Sequence, residues 1–214
     1  MKFDTYFIPA FVLFGALAGC AASPSHPTSS HSSAIGSSPT IPSELDGTWK
    51  KDCNKFGFFG TTGTYTFSSG RLEIVETLYV ESDCKTPIYT ERNIYNVIRV
   101  VNKSEGIFNT DLAFQHVYKM AASERGKAFL EGRNNKQGLC GISNWDVGTE
   151  RELTEADCSD ANTAAFMPSP GTVIFHSFKL TPQGLLIGKI KGLATTEAGR
   201  PVSFSDRPMR KSTP

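Results

Sequence analysis

The chain has 214 residues, with 22 Lys plus Arg against 21 Asp plus Glu and a formal net charge of +1. That balance excludes the basic excess that steers proteins onto nucleic acid, so no nucleic-acid partner is expected. The length permits one ordinary domain or two small ones. Because the first 43 residues do not read as part of a packed core, roughly 170 remain, and one domain over 44–214 is expected.

Residues 1–19 carry Lys2, an apolar run from Tyr6 to Phe14 and then small residues, the pattern of a signal peptide too short to span a membrane as a stable helix. The junction Leu17-Ala18-Gly19-Cys20 resembles the bacterial lipobox. What the resemblance implies is a diacylglyceryl thioether on Cys20, cleavage just before it, and a membrane partner reached through fatty-acyl chains such as palmitate. Each buried methylene contributes about 0.8 kcal/mol, so two or three chains anchor where one does not. An ordinary secretory peptide cut near Ala18 is the competing reading. Ala21, standing where some lipoproteins carry Asp, implies the outer membrane of a bacterial cell envelope, facing the periplasm or the cell surface.

Residues 20–43 are dominated by Ser, Pro, Thr and His, too poor in aliphatic side chains to offset the entropy of ordering, and read as a disordered tether. Random-coil scaling puts the domain about 25 Å from the membrane. His26 and His31 in this segment read as solvated side chains rather than ligands.

From Gly47-Thr48-Trp49 onward the two-residue alternation of half-buried strands takes over. Gly63, Tyr65 and Phe67 share one face, with Thr62, Thr64 and Thr66 on the other. After the turn signal Ser69-Gly70, Leu72, Ile74, Leu78 and Val80 share a parity, which predicts a hairpin. Further runs span Ile88–Val101 and place Leu112, Phe114, His116, Tyr118 and Met120 on one face. The stretch from Ala121 to Pro170 reads as mostly irregular, with a possible helix start at Thr154-Glu155-Ala156-Asp157. Segments on either side of Thr181-Pro182-Gln183-Gly184 predict a last hairpin. The expected fold is all-β: an antiparallel barrel or sandwich with a short irregular or helical insertion.

Cys53, Cys84, Cys140 and Cys158 follow an export signal and form an even set, which reads as two disulfides; reduced thiols or a zinc site are the competing readings. Three connectivities exist. Cys53–Cys84 with Cys140–Cys158 is preferred because each cysteine then pairs with its sequence neighbour, and each bridge contributes about 3–4 kcal/mol.

Gly47-Thr48-Trp49 resembles the N-terminal Gly-x-Trp of lipocalins and other calycin barrels. Trp49 and Cys53 followed by Tyr79, Asp83-Cys84, Pro87 and Tyr89 are similar to lipocalin-like bacterial lipoproteins and to the domain first named in adenomatosis polyposis coli down-regulated proteins. Leu139-Cys140-Gly141, Trp145, Leu185-Leu186-Ile187-Gly188 and Arg200-Pro201 extend the resemblance over most of residues 45–205. It implies a lipocalin-like barrel of about eight strands. The chain lacks the Thr-Asp-Tyr triplet of lipocalins, and no arginine is assigned to stack on Trp49.

No nucleophile with its base, metal cage or phosphate loop shows specific spacing, so neither enzyme, cofactor nor metal is expected. His116 and His176 each stand alone in a strand. Glu76 shares the parity of Leu72 and Ile74, and either faces a partner or ligand inside the barrel or turns to solvent at a bulge. The acidic run Glu150, Glu152, Glu155, Asp157 and Asp160 reads as a solvated segment rather than a calcium loop. Two functions remain. One is a non-catalytic interaction module in which Trp145, exposed between Cys140 and Cys158, meets another envelope protein; the same side chain is as well suited to plugging the barrel mouth. The other is a carrier whose Tyr65, Phe67, Leu72, Ile74, Phe114 and Tyr118 line a pocket for a lipid or small apolar molecule, with Glu76 on a polar head.

Overall fold

The computed structural model describes residues 40–104, 106–132, 138–154, 158, 168–189 and 193–212. The expected signal peptide, Cys20, the tether up to residue 39, and Glu155, Ala156, Asp157 and Asp160 lie outside the described residues.

The alternating segments become antiparallel strands: β1 (Gly47–Phe56), β2 (Phe59–Ser68), β3 (Arg71–Tyr79), β4 (Pro87–Ser104), β5 (Ile107–Ala121), β6 (Glu150–Leu153), β7 (Val173–Thr181), β8 (Gly184–Ile187) and β9 (Arg210–Lys211). Among the described residues one α-helix, α1 (Glu124–Leu130), stands between β5 and β6. The strand order is β8-β7-β5-β4-β3-β2-β1-β9, with β6 paired to β5 off that path. Leu185 and Met209 exchange backbone hydrogen bonds of 3.0 and 2.8 Å, which carries the last segment back onto β8. Eight strands thereby form an antiparallel, nearly closed barrel.

Turn chemistry explains the local connections. Ser69 and Gly70 take positive φ values of 51° and 74°, the geometry that joins β2 to β3 without splaying them. Gly184, at φ +136°, opens β8 after the β7–β8 turn, and a Cβ there would stand 2.1 Å from the Met209 carbonyl oxygen. Only glycine lets the closing segment approach so near.

The first core fills the barrel. Leu45, Trp49, Tyr65, Phe67, Leu72, Leu112, Phe178, Leu185 and Met209 pack together, and Ile41, within the stretch expected to be tether, packs against them. The Trp49 indole N–H donates to the Leu45 carbonyl at 2.8 Å. Lys211 supplies the cation over its ring, at 5.3 Å, which the sequence did not reveal.

A second core forms where the sheet branches, because β5 pairs with β7 through its first half and with β6 through its second. Phe114, Val117, Leu130, Ile142, Trp145, Leu153 and Ile174 fill that wedge. Trp145 is 1% exposed, which corrects the expectation of an exposed contact residue: the insertion folds back and uses the indole as its own apolar centre. The helix sits here too, in a stretch expected to be irregular. Ser123 caps it, accepting from the Gly126 N–H at 3.1 Å while its own hydroxyl donates to the Pro87 carbonyl at 2.7 Å. A Cβ on Gly126 would lie 1.6 Å from the Ile88 carbonyl oxygen, so glycine alone fits between α1 and β4.

The disulfides are Cys53–Cys84 and Cys140–Cys158, with Cα atoms 5.9 and 4.2 Å apart. The preferred pairing is the one found. Cys53 lies in a bulge of β1, where Lys51 pairs with Gly63 but Asn54 with Thr61.

A second bulge corrects the face assigned to β5. Ile94 pairs with His116 and Tyr95 with Phe114, so Gln115 is an extra residue and the alternation reverses after it. Phe114 and Val117 are buried in the second core, whereas His116 and Tyr118 turn outward. The Arg92 guanidinium lies 4.1 Å from the Tyr118 ring centre on that outer surface, so Tyr118 does not line the interior.

Candidate functional site

Most of the residues expected to line a ligand pocket instead fill the barrel. Tyr65, Phe67, Leu72 and Phe114 are each no more than 6% exposed. Phe67 meets Phe178 edge to face at 5.1 Å, and Tyr95 meets Phe114 in the same way at 5.8 Å. Ile74 packs partly buried against this cluster. Side chains in such contact close an apolar lumen rather than bound one.

One register row of the inner wall is charged. Lys51 pairs across the sheet with Gly63, Gly63 with Glu76, Glu76 with Glu91 and Glu91 with Lys119. Five adjacent strands therefore set two carboxylates side by side, flanked by two ammonium groups, over about 19 Å at the usual strand spacing. Like charges directly opposite destabilise a sheet, and the flanking lysines neutralise them. The Lys51 ammonium reaches Glu76 Oε1 at 2.7 Å by passing over Gly63, whose missing side chain is the clearing; a Cβ there would lie 3.1 Å from Glu76 Cγ. Lys119 pairs with Glu91, and the Asn93 amide donates to Glu91 at 2.8 Å. Glu76 thus faces inward with a partner, with no bulge at its position.

Electrostatics in the row follow from these contacts. Burial pushes the Glu91 carboxyl up, but the Lys119 charge and the hydrogen bonds from Lys119 and Asn93 outweigh it and hold the group below the ordinary carboxylate value. The Tyr65 hydroxyl, 3.4 Å from Glu76, is pushed well above its ordinary value by burial and then by the Glu76 charge, so it stays a donor. The Glu76 and Glu91 side chains remain 39% and 32% exposed although they face inward, so water reaches this part of the wall.

Beside Lys51 the wall opens. β1 pairs with β9 only through Trp49–Lys211 and Lys50–Arg210, and the bulge at Asp52 and Cys53 follows at once. A cleft of about 620 Å³ lies between Lys51–Asn54 of β1 and the segment Ser205–Arg210, with Ile187 and Lys189 on its far side. Its rim carries Lys51, Lys189, Arg207 and Arg210 against Asp52 and Asp206, and Ile187, Pro208 and Met209 give it an apolar wall. Lys51 thus belongs both to the inner row and to the cleft. Of the cleft residues, Cys53 was singled out from the sequence only as a disulfide partner and Ile187 only within the family resemblance, and none as a binding residue. The signal available was weak: Lys51 shares the parity of Trp49, two residues before it.

The remaining candidates do not assemble. His116 points outward and bonds Glu152 at 2.6 Å, whereas His176 faces inward, buried and stacked on Phe178 at 4.6 Å, so the two histidines share no cavity. Glu150 is taken by Arg92. Among the described residues no group of His, Cys, Asp and Glu is arranged to hold a metal ion. The chain matches no family model and no curated protein.

Burial depresses the His176 imidazole to about 4, helped by the Arg200 charge and opposed by a hydrogen bond to the Ser177 carbonyl. Between about pH 4 and 6.5 the unfolded chain binds a proton that the folded chain refuses, so stability is complete above pH 6.5 and falls as pH drops toward 4. The expected loss is about 3 kcal/mol. Urea unfolding of wild type and His176→Asn at steps across this interval checks it: the variant should keep only the shallower slope that ion-paired carboxylates such as Glu91 give at the acid end, and an identical slope in both assigns the effect elsewhere.

Proposed function

We propose that the chain is a lipid-anchored lipoprotein of the bacterial cell envelope, related to lipocalin-like lipoproteins, whose barrel is a non-catalytic binding module with the seam cleft as its binding site. The observation that carries the reading is the cleft, whose volume of about 620 Å³ falls within the range of small-molecule sites and whose walls combine apolar surface with convergent charges. The lipobox-like Leu17-Ala18-Gly19-Cys20 supports the anchor. Two disulfides, Cys53–Cys84 and Cys140–Cys158, suit the oxidising compartment that export would reach. Trp49 held by Leu45 beneath Lys211 supports the lipocalin-like kinship. The second reading, an apolar ligand within the barrel, draws on the partly exposed Ile74 and Tyr95, but it requires the packed aromatic core to part.

Native mass spectrometry of the full-length chain extracted from membranes tests the binding role. A stoichiometric small-molecule adduct is expected on the wild type and none on Asp52→Trp, which places an indole in the cleft. An adduct that persists in the variant moves the site into the barrel. A fatty-acid analogue should label the wild type and not Cys20→Ser, and equal labelling removes the anchor.

A further inference from the structure

Charge in the cleft is unevenly held. Four cationic side chains line it against two carboxylates, and since Lys51 is already paired with Glu76, an excess of one positive charge is left. The carboxylates are loosely engaged. The Asp206 side chain is 88% exposed where it meets Lys189 at 3.1 Å, and that of Asp52 is 73% exposed where it meets Arg210 at 3.6 Å. Pairs this open to water contribute little and exchange readily for a better anion. The Arg207 guanidinium has no carboxylate partner among the described residues, and its Nη1 reaches only the Cys53 carbonyl, at 3.4 Å. Two arginines and a lysine therefore line one cavity, and one of the guanidinium groups is without a carboxylate partner among the described residues.

We propose, resting on the reading of the cleft as the binding site, that its ligand carries a phosphate monoester held by Arg207, Arg210 and Lys189. A monoester above its second ionisation carries about two negative charges, which Arg207, Arg210 and Lys189 balance once Asp52 and Asp206 turn away, and its three oxygens suit two planar forks better than a single ammonium. Asp52 and Asp206 then act as stand-ins that swing into water when the phosphate arrives. Ile187, Pro208 and Met209 beside the cations accept an apolar substituent on the ester, so a soluble monoester and the headgroup of a phosphatidic-acid-type lipid present the same chemistry.

Calorimetric titration of the full-length chain in a non-ionic detergent tests this with four probes: inorganic phosphate, glycerol 3-phosphate, dihexanoyl phosphatidic acid and the uncharged dihexanoylglycerol. The phosphate probes should bind one to one, weaken as sodium chloride is raised, and lose at least tenfold in affinity in the Arg207→Gln/Arg210→Gln double variant. Arg125→Gln on α1 should change nothing. Affinity at least tenfold higher for the phosphatidic acid than for glycerol 3-phosphate assigns the lipid source, and equal affinity the soluble one. Equal binding of dihexanoylglycerol, or no loss in a double variant that unfolds at the wild-type urea midpoint, overturns the phosphate assignment while leaving the cleft as a site. Absence of all binding also overturns it, and the adduct comparison with Asp52→Trp then decides whether the cleft itself fails.

Discussion

Trp145→Ala is expected to lower the free energy of unfolding by about 3–5 kcal/mol. The side chain is 1% exposed and central to the second core, among Phe114, Val117, Leu130, Ile142, Leu153 and Ile174. Truncation removes the largest fully buried side chain described in the protein and leaves a cavity that a branched sheet, fixed by β5, β6 and β7, has little freedom to close. The Trp145 backbone N–H donates to Glu131 Oε1 at 3.2 Å, so the same position also ties the insertion to the end of α1. The indole N–H has no hydrogen-bond partner among the described residues, so Trp145→Phe, which keeps an aromatic ring and deletes that donor, should cost less than half as much. Urea unfolding of the full-length variants measures both. An exposed contact residue would change the free energy of unfolding by no more than about 0.5 kcal/mol in either variant, and that outcome would return Trp145 to the surface.

The second large effect is expected at Arg200. Its guanidinium donates to the Thr110 carbonyl at 3.1 Å, to the His176 carbonyl at 2.9 Å and to Asp111 Oδ1 at 2.5 Å, and lies over the Phe175 ring. Burial pushes the Asp111 carboxyl up, but the hydrogen bonds from Arg200 and Arg99 outweigh it and hold the group below the ordinary carboxylate value. Arg200→Met strands a carboxylate and two carbonyls, a loss of about 3 kcal/mol, at the lower end for a broken buried pair because Arg99 still reaches Asp111 at 2.6 Å. Arg200→Lys restores one charge but no fork and should recover less than half. If Met costs under about 1 kcal/mol, the pair is not the clip described here.

Arg200 has a consequence beyond stability. Phe175 donates to the Ala194 carbonyl at 2.8 Å, and Pro201 lies so close to Gly188 that a Cβ there would stand 2.6 Å from it. Fastened at these points, the chain from Leu193 to Pro201 delivers Ser205–Met209 to β8 and leaves the cleft on its other side. Arg200→Met should therefore also weaken whatever the cleft binds.

Much of this was legible because it is local. Alternation in Gly63–Phe67 and Leu72–Ile74 gave the inner faces of β2 and β3, Ser69-Gly70 gave their turn, and short loops gave the disulfide pairing. The rest depends on register. Under unbroken alternation Lys119 falls on the outer face of β5 and Tyr118 on the inner; the single extra residue Gln115 exchanges them, and no composition signal marks it. Parity flagged Glu76 alone as a candidate inward charge, whereas Lys51, Glu91 and Lys119 look like ordinary surface charges until pairing sets all four in one row. Helix α1 has seven residues, too few to display a period, and the Ser123 hydroxyl that caps it is also fixed by donating to the distant Pro87 carbonyl.

By itself the chain's sequence determined an antiparallel all-β fold, barrel or sandwich, with a preferred pairing of its four cysteines, since period-two alternation, turn residues and cysteine spacing act between near neighbours. The tertiary structure alone decided what fills that barrel, where Trp145 goes, and which cations meet at the seam. Those outcomes arise from contacts such as Lys51 with Glu76, Arg200 with Asp111 and Leu185 with Met209, between residues that only closure of the sheet brings within reach.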